Sequence, residues 1–250
     1  MTEIEGRVKV SVVIPVFNEG TTIRTLLQRV QESDLEKDII IVDDGSNDDT
    51  PEFLRDLEKA TKLTPPVMTG SQGTYQLRAE NIRVLFQEKN MGKGAALRRG
   101  FQEAQGQIIL VQDADLEYDP KDYFRLLEPI QKGVADVVYG SRFLEKNQRV
   151  LGRLGYLGNK IFTSLSNWAT HQKLTDVWTG YKVFKREVLQ SMALIENGFG
   201  FEPEVTAKVG KEGWRICEVP ISYSRRTRSE GKKITWKDGI KALYCILRYK

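Results

Sequence analysis

The chain is 250 residues long, enough to bury a sizeable core without disulfides or a structural metal. Its 38 basic and 34 acidic residues leave a formal charge of +4. Nucleic-acid-binding proteins carry a strong basic excess, so we expect no nucleic-acid partner. With 40% hydrophobic and 29% charged residues, the composition excludes both a disordered chain and an integral membrane protein.

The sequence predicts neither a membrane span nor a secretion signal. The longest continuous apolar stretch, residues 12–17, is far shorter than the roughly 20 residues that cross a bilayer. The first residues, MTEIE, are acidic and lack an apolar core, so we expect no signal peptide. The two cysteines, Cys217 and Cys245, show neither a disulfide framework nor metal-ligand spacing. We therefore predict a reducing, cytoplasmic location.

Strands and helices alternate through the first half of the chain. The predicted strands are residues 8–17, 39–42, 82–86, 107–111 and 135–139. Apolar residues recur with helical spacing between them, and helices are predicted from residues 23, 50, 93 and 119. Short, continuously apolar strands indicate a sheet covered on both faces. The sequence therefore predicts an α/β fold with a mainly parallel sheet and helices on both faces.

The alternation is interrupted at residues 61–81, where prolines and glycines predict a surface excursion. After Gly140 it loosens, and we predict helices over 150–170, 204–211 and 234–249 and a strand over 214–223. The last helix carries one apolar stripe with basic residues near it, formed by Ile240, Leu243, Tyr244 and Leu247. Such a stripe either lies at a membrane surface or packs against the sheet.

Polar residues follow the predicted strands at their carboxyl ends, where open parallel sheets bind ligands. Glu19 follows the first strand, Asp43 and Asp44 the second, and Asp113 and Asp115 the fourth. The stretch 44–46, Asp-Gly-Ser, is also a good turn, and that alternative stays open.

Asp113 and Asp115 predict a metal site. Two carboxylates this close at the end of a buried strand repel each other and need a partner. Mg²⁺ or Mn²⁺, bound through carboxylates and the phosphates of a substrate, would supply it.

A lysine between two glycines precedes a predicted helix, in the stretch 90–94 (NMGKG). Lys93 and the helix N-terminus both favour a phosphate, and the glycines allow close approach of the backbone. The stretch lacks the Walker A spacing, and a flexible turn is the alternative.

These stretches together resemble glycosyltransferase family 2. The resemblance covers nearly the whole chain and is carried by residues 12–19, 42–46, 90–94, 112–115, 140–142, 176–182 and 198–202, in the order of the family's motifs. Within the family, the chain is most similar to the dolichyl- and polyprenyl-phosphate hexosyltransferases. The resemblance implies the GT-A nucleotide-sugar-binding fold, in a single catalytic domain over residues 1–250. Residues 1–115 would bind the nucleotide, and residues 116–250 would bind the acceptor.

The implied reaction is metal-dependent transfer of a hexose, with inversion, from a UDP-sugar or GDP-mannose to a polyprenyl or dolichyl phosphate. By resemblance, the nucleotide-sugar donor is bound by Pro15, Phe17, Glu19, Asp43 and Lys93. The metal, Mg²⁺ or Mn²⁺, is implied to bind Asp113 and Asp115. A lipid-phosphate acceptor also implies peripheral contact with the cytoplasmic face of a membrane.

The remaining predicted site residues lie in the second half of the chain. Arg142 matches the arginine that meets the acceptor phosphate, and Arg226 with Lys232 or Lys233 matches the late basic pair that closes over the diphosphate. Asp176, before an aromatic residue and Thr-Gly, is the candidate to hold a sugar hydroxyl or to act as base, with a helix or turn cap as the alternative.

Two other functions stay open at this point. One is a glycosyltransferase of the same fold with a soluble or polysaccharide acceptor. The other is a non-catalytic nucleotide-sugar-binding protein, against which the intact Asp113, Asp115, Lys93 and Arg226 argue.

Overall fold

The structure is a computed structural model that describes residues 9–63, 65–70, 76–144, 153–226 and 236–249. Within these ranges, nine strands and eight α-helices follow one another along the chain. In chain order they are β1 (Val10–Val16), α1 (Ile23–Glu32), β2 (Lys37–Asp43), α2 (Thr50–Ala60), β3 (Val67–Thr69), β4 (Gln76–Arg78), β5 (Ile82–Phe86), α3 (Lys93–Glu103), β6 (Ile108–Val111), α4 (Tyr123–Gln131), β7 (Val137–Ser141), α5 (Arg153–Thr170), β8 (Lys182–Lys185), α6 (Arg186–Ser191), α7 (Phe201–Lys211), β9 (Ile216–Pro220) and α8 (Trp236–Tyr249).

Seven of the strands form one sheet in the order β5-β2-β1-β6-β8-β7-β9. Every neighbouring pair is parallel except those of β8, which runs antiparallel to both β6 and β7. The mainly parallel sheet of the sequence prediction is therefore confirmed. The prediction missed β8 and α6, because residues 182–185 are too short and too polar at their ends to stand out as a strand.

Two apolar cores lie on opposite faces of the sheet. Val12 and Ile14 of β1 pack in the core that also holds residues of α1, α2 and α4. Val13, between them, packs in the core that holds residues of α3, α6 and α7. Successive strand residues point to opposite faces, so this division confirms helices on both faces of the sheet.

The predicted surface excursion at residues 61–81 contains two short strands. Residues 67–69 and 76–78 pair as an antiparallel hairpin outside the main sheet. Leu77 is buried in the first core, with Met68 packed against that core. Each strand is only three residues long and is therefore a weak signal, and for that reason the sequence did not predict this hairpin.

No helix in the described parts of the chain is both long and apolar enough to cross a membrane.

The buried carboxylate of Asp136 links the three strands β7, β8 and β9 at one edge of the sheet. Asp136, just before β7, accepts hydrogen bonds from Nε and Nη2 of Arg215 at 2.8 and 2.9 Å. The Lys185 Nζ atom, at the end of β8, lies 2.8 Å from the same carboxylate. These hydrogen bonds, those of Arg215 foremost, hold the pKa of Asp136 well below its usual range.

We expect Asp136→Asn to lower the free energy of unfolding by about 2 kcal/mol at pH 7, the typical contribution of charge-assisted hydrogen bonds. The carboxylate has a lower pKa when folded, so its stabilisation is present above about pH 4 and is lost as the pH falls further. Urea unfolding at pH 7 and at about pH 2.5 measures both effects. As a control, Asp56→Asn removes the exposed pair with Lys59 and should cost less than about 0.5 kcal/mol. A difference between wild type and Asp136→Asn that does not shrink on acidification would contradict the assignment.

Candidate active site

The carboxyl ends of β1, β2 and β6 open into a cavity of about 370 Å³. These strands are parallel neighbours, so the polar residues that follow them meet at one edge of the sheet. The sequence-predicted residues that line the cavity are Pro15, Phe17, Glu19, Lys93, Asp113, Asp115, Arg142 and Arg226.

The two aspartates after β2 have different placements. Asp43 is buried and is not among the residues that line the cavity, and its carboxylate accepts the amide N–H of Ser46 at 3.2 Å. Asp44 lines the cavity, and its carboxylate accepts the amides of Met91 and Gly92 at 2.7 and 2.8 Å. The predicted role of Asp43 in binding the nucleotide therefore stays a prediction. Asp44 lines the cavity, and it also holds the loop that leads into α3.

The glycines on either side of Lys93 are required by a neighbouring backbone segment. A Cβ atom on Gly92, whose φ is +98°, would lie 2.4 Å from the carbonyl oxygen of Asn197. One on Gly94 would lie 2.2 Å from that of Glu196. The sequence predicts close approach of these glycines to a phosphate, whereas in the structure they pack against residues 196–197.

Lys93 begins α3 between two carboxylates. Its Nζ atom lies 2.8 Å from Asp113 and 3.2 Å from Glu202. Burial acts to lower the pKa of Lys93, but the two carboxylates outweigh it and raise the pKa above its ordinary value. The lysine is therefore charged at the point where the cavity meets the helix N-terminus.

The carboxylates after β6 carry an excess of negative charge. Burial, together with the charges of Asp113 and Glu117, raises the pKa of Asp115 to about 7. The described residues contain no group of three or more His, Cys, Asp or Glu side chains arranged to hold a metal. Because their negative charges crowd each other, Asp113 and Asp115 fit a hard cation such as Mg²⁺, which takes one or two protein carboxylates and completes its shell with phosphate oxygens and water.

Arg226 connects the C-terminal part of the chain to the end of β1. Its Nη1 and Nη2 atoms lie 2.9 and 3.0 Å from the Glu19 carboxylate, and Nη2 lies 3.4 Å from Asp115. Its amide N–H and the Tyr223 hydroxyl both donate to Glu117 at 2.8 Å. Lys232 and Lys233, its predicted partners, lie outside the described residues.

Arg142, after β7, forms a two-pronged ion pair with Asp176. Its Nε and Nη2 atoms donate to the two carboxylate oxygens at 2.7 and 2.8 Å, and Asn159 donates to the same carboxylate at 2.9 Å. Asp176 is fully buried and does not line the cavity, whereas Arg142 does. In this placement the Asp176 carboxylate orients Arg142, and its predicted contact with a sugar hydroxyl or role as base stays a prediction.

Asp44, which the sequence places at the carboxyl end of β2, also lines the cavity. Lining residues that the sequence did not assign to the site include Tyr118, Trp178, Glu202 and Tyr223. Trp178 and Glu202 belong to stretches that carry the family resemblance, and that was a signal for them. Nothing in the pattern of the sequence singled out Tyr118 or Tyr223, which reach the cavity only through the tertiary fold.

We expect Asp176→Leu to lower the free energy of unfolding by about 3–5 kcal/mol, because it leaves the buried Arg142 without a counterion. The double variant Arg142→Met/Asp176→Leu should regain most of that loss, since an apolar pair of similar volume replaces the ion pair. Urea unfolding of both variants and of wild type measures this. A single variant that loses less than about 1 kcal/mol would show that the pair is not the main role of Asp176.

The chain is similar in sequence to two proteins named as mannosyltransferases. The chain is 29% identical over 245 residues to dolichol-phosphate mannosyltransferase of Pyrococcus furiosus, in an alignment that covers 90% of this chain and 59% of the relative. It is 26% identical over 238 residues to undecaprenyl-phosphate mannosyltransferase of Micrococcus luteus, with 90% and 87% of the two chains covered. The chain thus spans less than two thirds of the length of the Pyrococcus protein.

Among solved structures, it is similar to glucosyl-3-phosphoglycerate synthase of Mycobacterium tuberculosis in complex with Mn²⁺, UDP and glucosyl-3-phosphoglycerate. The TM-score is 0.67 at 20% identity, over 98% of this chain and 80% of the other. This likeness confirms the predicted GT-A fold. The sequence profile of glycosyl transferase family 2 matches residues 11–192, and the chain therefore belongs to that family.

Proposed function

We propose that this protein transfers a hexose, in the first place mannose, from a nucleotide sugar to a polyprenyl or dolichyl phosphate, with inversion and with the help of a divalent cation. The observation that carries the proposal is one cavity that combines the carboxylates Asp113 and Asp115 with Lys93 and Arg142. Such a cavity suits two anionic substrates. The hexose and the lipid acceptor are supported by the names of the Pyrococcus and Micrococcus relatives.

On the donor side, the residues are suited to a diphosphate leaving group. Asp113 and Asp115 would hold the cation, which would neutralise charge that develops on the diphosphate. Lys93 and Arg226 bring positive charge to the same region, where preorganised charge is most effective. Their present partners, Glu202 and Glu19, keep both side chains in place.

On the acceptor side, the attacking group is a phosphate, which is already an anion near neutral pH. Transfer then needs a positioned acceptor more than a strong base. The pair with Asp176 uses Nε and Nη2 of Arg142 and orients the guanidinium, which lines the cavity. Arg142 would therefore fix the lipid phosphate by a charge-assisted contact.

The names of the relatives favour this acceptor over a soluble or polysaccharide one. Asp113, Asp115, Lys93 and Arg226 are all present in one cavity. Their presence argues against a protein that only binds nucleotide sugars.

The test is a transfer assay with radiolabelled GDP-mannose and UDP-hexoses, Mn²⁺ and a polyprenyl phosphate, followed by partition into organic solvent. We expect label in the organic phase with one donor, and its loss when excess chelator is added. Asp113→Asn and Asp115→Asn should stay folded and lose about 10²–10³-fold in turnover, as when one charge-stabilising group is removed.

Arg142→Ala should impair transfer but change the affinity for the nucleoside diphosphate less than about 3-fold by calorimetry, because Arg142 is assigned to the acceptor. Full turnover in excess chelator would contradict the role of the metal. Label that appears only on a water-soluble acceptor would favour the alternative function.

We also propose that α8 contacts the membrane that holds the acceptor. Leu243, Tyr244 and Leu247 are 39%, 56% and 59% exposed, whereas Ala242, Cys245 and Ile246 are buried. The described part of the stripe therefore faces outward and does not pack on the sheet, which supports a contact with a membrane. The side chain of Ile240 lies outside the described residues.

The neighbouring helix α5 strengthens this proposal. It meets α8 at Phe162, which lies against Gly239, and it exposes Leu157, Ile161 and Trp168 by about half. Apolar side chains with basic neighbours such as Lys241 and Arg248 are typical of a helix at a membrane surface.

We expect the protein to co-sediment with anionic liposomes at low salt and less at high salt, since each basic residue contributes only about 1 kcal/mol. Leu243→Ser/Leu247→Ser should reduce the bound fraction several-fold. Phe124→Ser provides the control, because Phe124 is 54% exposed but belongs to α4, on the opposite face of the sheet. Equal binding of the double variant and wild type would exclude α8 as the contact.

A further inference from the structure

Lys182, in β8, is a buried lysine to which neither the family resemblance nor the proposed chemistry assigns a role. It is 1% exposed and lies opposite Val111 of β6 and Tyr139 of β7. A buried ammonium is costly unless its protons are accepted by nearby groups. Its Nζ atom donates to the carbonyl oxygens of Val177 at 3.0 Å and Thr179 at 2.5 Å, and the Tyr139 ring centroid is 4.6 Å away.

These two carbonyls flank Trp178, so Lys182 holds the middle of the segment 176–180. The polar groups on the side chains in the middle of the segment do not hold it. Trp178 Nε1 and Thr179 Oγ1 are both buried without a hydrogen-bond partner among the described residues. At the far end, the Gly180 amide donates to the Tyr118 hydroxyl at 2.8 Å.

The segment 176–180 lies between the two halves of the site. At one end, Asp176 holds Arg142. At the other, Gly180 packs so closely on Asp113 that a Cβ atom would lie 2.1 Å from its carboxylate oxygen. Trp178 and Gly180 line the cavity itself. A displacement of this segment would therefore move the acceptor arginine and the metal carboxylate relative to each other.

We propose that Lys182 is a positioning residue that clamps the segment 176–180 and so sets the placement of Arg142 relative to Asp113. The inference rests on the proposed function, because it assigns Arg142 to the acceptor and Asp113 to the donor. A group with several donors can bridge two carbonyls from one side, and the ammonium of Lys182, which has donors and no acceptor, is such a group. Burial lowers the pKa of Lys182 to about 8, with Glu202 acting in the opposite sense, so the ammonium predominates at neutral pH.

The test variant is Lys182→Met, which keeps the length of the side chain and removes its donors. We expect kcat for hexose transfer to fall about 10²-fold, the effect of a small misplacement of reacting groups. The affinity for the nucleoside diphosphate should change less than about 3-fold, because Phe17 and Lys93 are not held by the segment. Lys185→Met, on the same strand, is the matched control. Its ammonium pairs with Asp136, away from the cavity, and kcat should stay within about 2-fold of wild type.

Tyr118→Phe removes a second anchor of the same segment with little risk to folding. We expect a smaller loss of kcat than in Lys182→Met. The double variant should lose less than the product of the two single effects, because both anchors act on one segment. If Lys182→Met does not fold, Tyr118→Phe alone decides, and a kcat equal to that of wild type would then overturn the proposal.

A readout without turnover separates this inference from the proposed function. In protein labelled with 5-fluorotryptophan, the ¹⁹F resonance of Trp178, assigned with Trp178→Phe, should shift in Lys182→Met and stay in place in Lys185→Met. If the wild type is inactive on every lipid phosphate, the proposed function is refuted, and the ¹⁹F spectrum alone then tests whether Lys182 clamps the segment. An unshifted resonance, a kcat of Lys182→Met within about 3-fold of wild type, or a parallel loss of nucleotide affinity would overturn the clamp.

Discussion

The structure depends above all on the pairing of charges that the fold removes from water. An isolated buried charge costs several kcal/mol, and a fold can hold one only beside an opposite charge or a set of hydrogen bonds. At the carboxyl edge of the sheet, Arg226 pairs with Glu19 and Lys93 pairs with Glu202. The partners in each pair come from distant parts of the sequence. The pairs therefore join the two halves of the chain at the place where the cavity forms.

This pairing places the positive and negative groups of the site in alternation, which the residue types alone would not do. Lys93 stands between Asp113 and Glu202, and Arg226 stands between Glu19 and Asp115. Each cation is held near a carboxylate that belongs to the site itself. A nucleoside diphosphate with its cation would enter an arrangement in which positive and negative groups already alternate, so binding would require little reorganisation of the protein.

The antiparallel direction of β8 also shapes the site. It enters the sheet between β6 and β7, which carry Asp113 and Arg142 just beyond their ends. Because β8 runs in the opposite direction, the segment that leads into it passes across the same edge of the sheet. Residues 176–180 thereby lie between the metal carboxylate and the acceptor arginine. A parallel strand at this position would begin at the other edge and would leave the gap to be filled by another segment.

The sequence by itself determined the alternation of strands and helices, the parallel sheet and the edge at which Asp113, Asp115 and Lys93 gather. It could do so because continuous apolar strands and helical spacing are local patterns, and because parallel strands all end at one edge. Only the tertiary structure decided that Asp44 lines the cavity and Asp43 does not, since neighbouring residues at a strand end point in different directions. It alone showed that Asp176 stands behind Arg142, that Tyr118 and Tyr223 reach the cavity, and that Lys182 bridges two carbonyls. These facts depend on which side chains meet across distant parts of the chain and on the cost of burying a charge without a partner. A local sequence pattern contains neither kind of information.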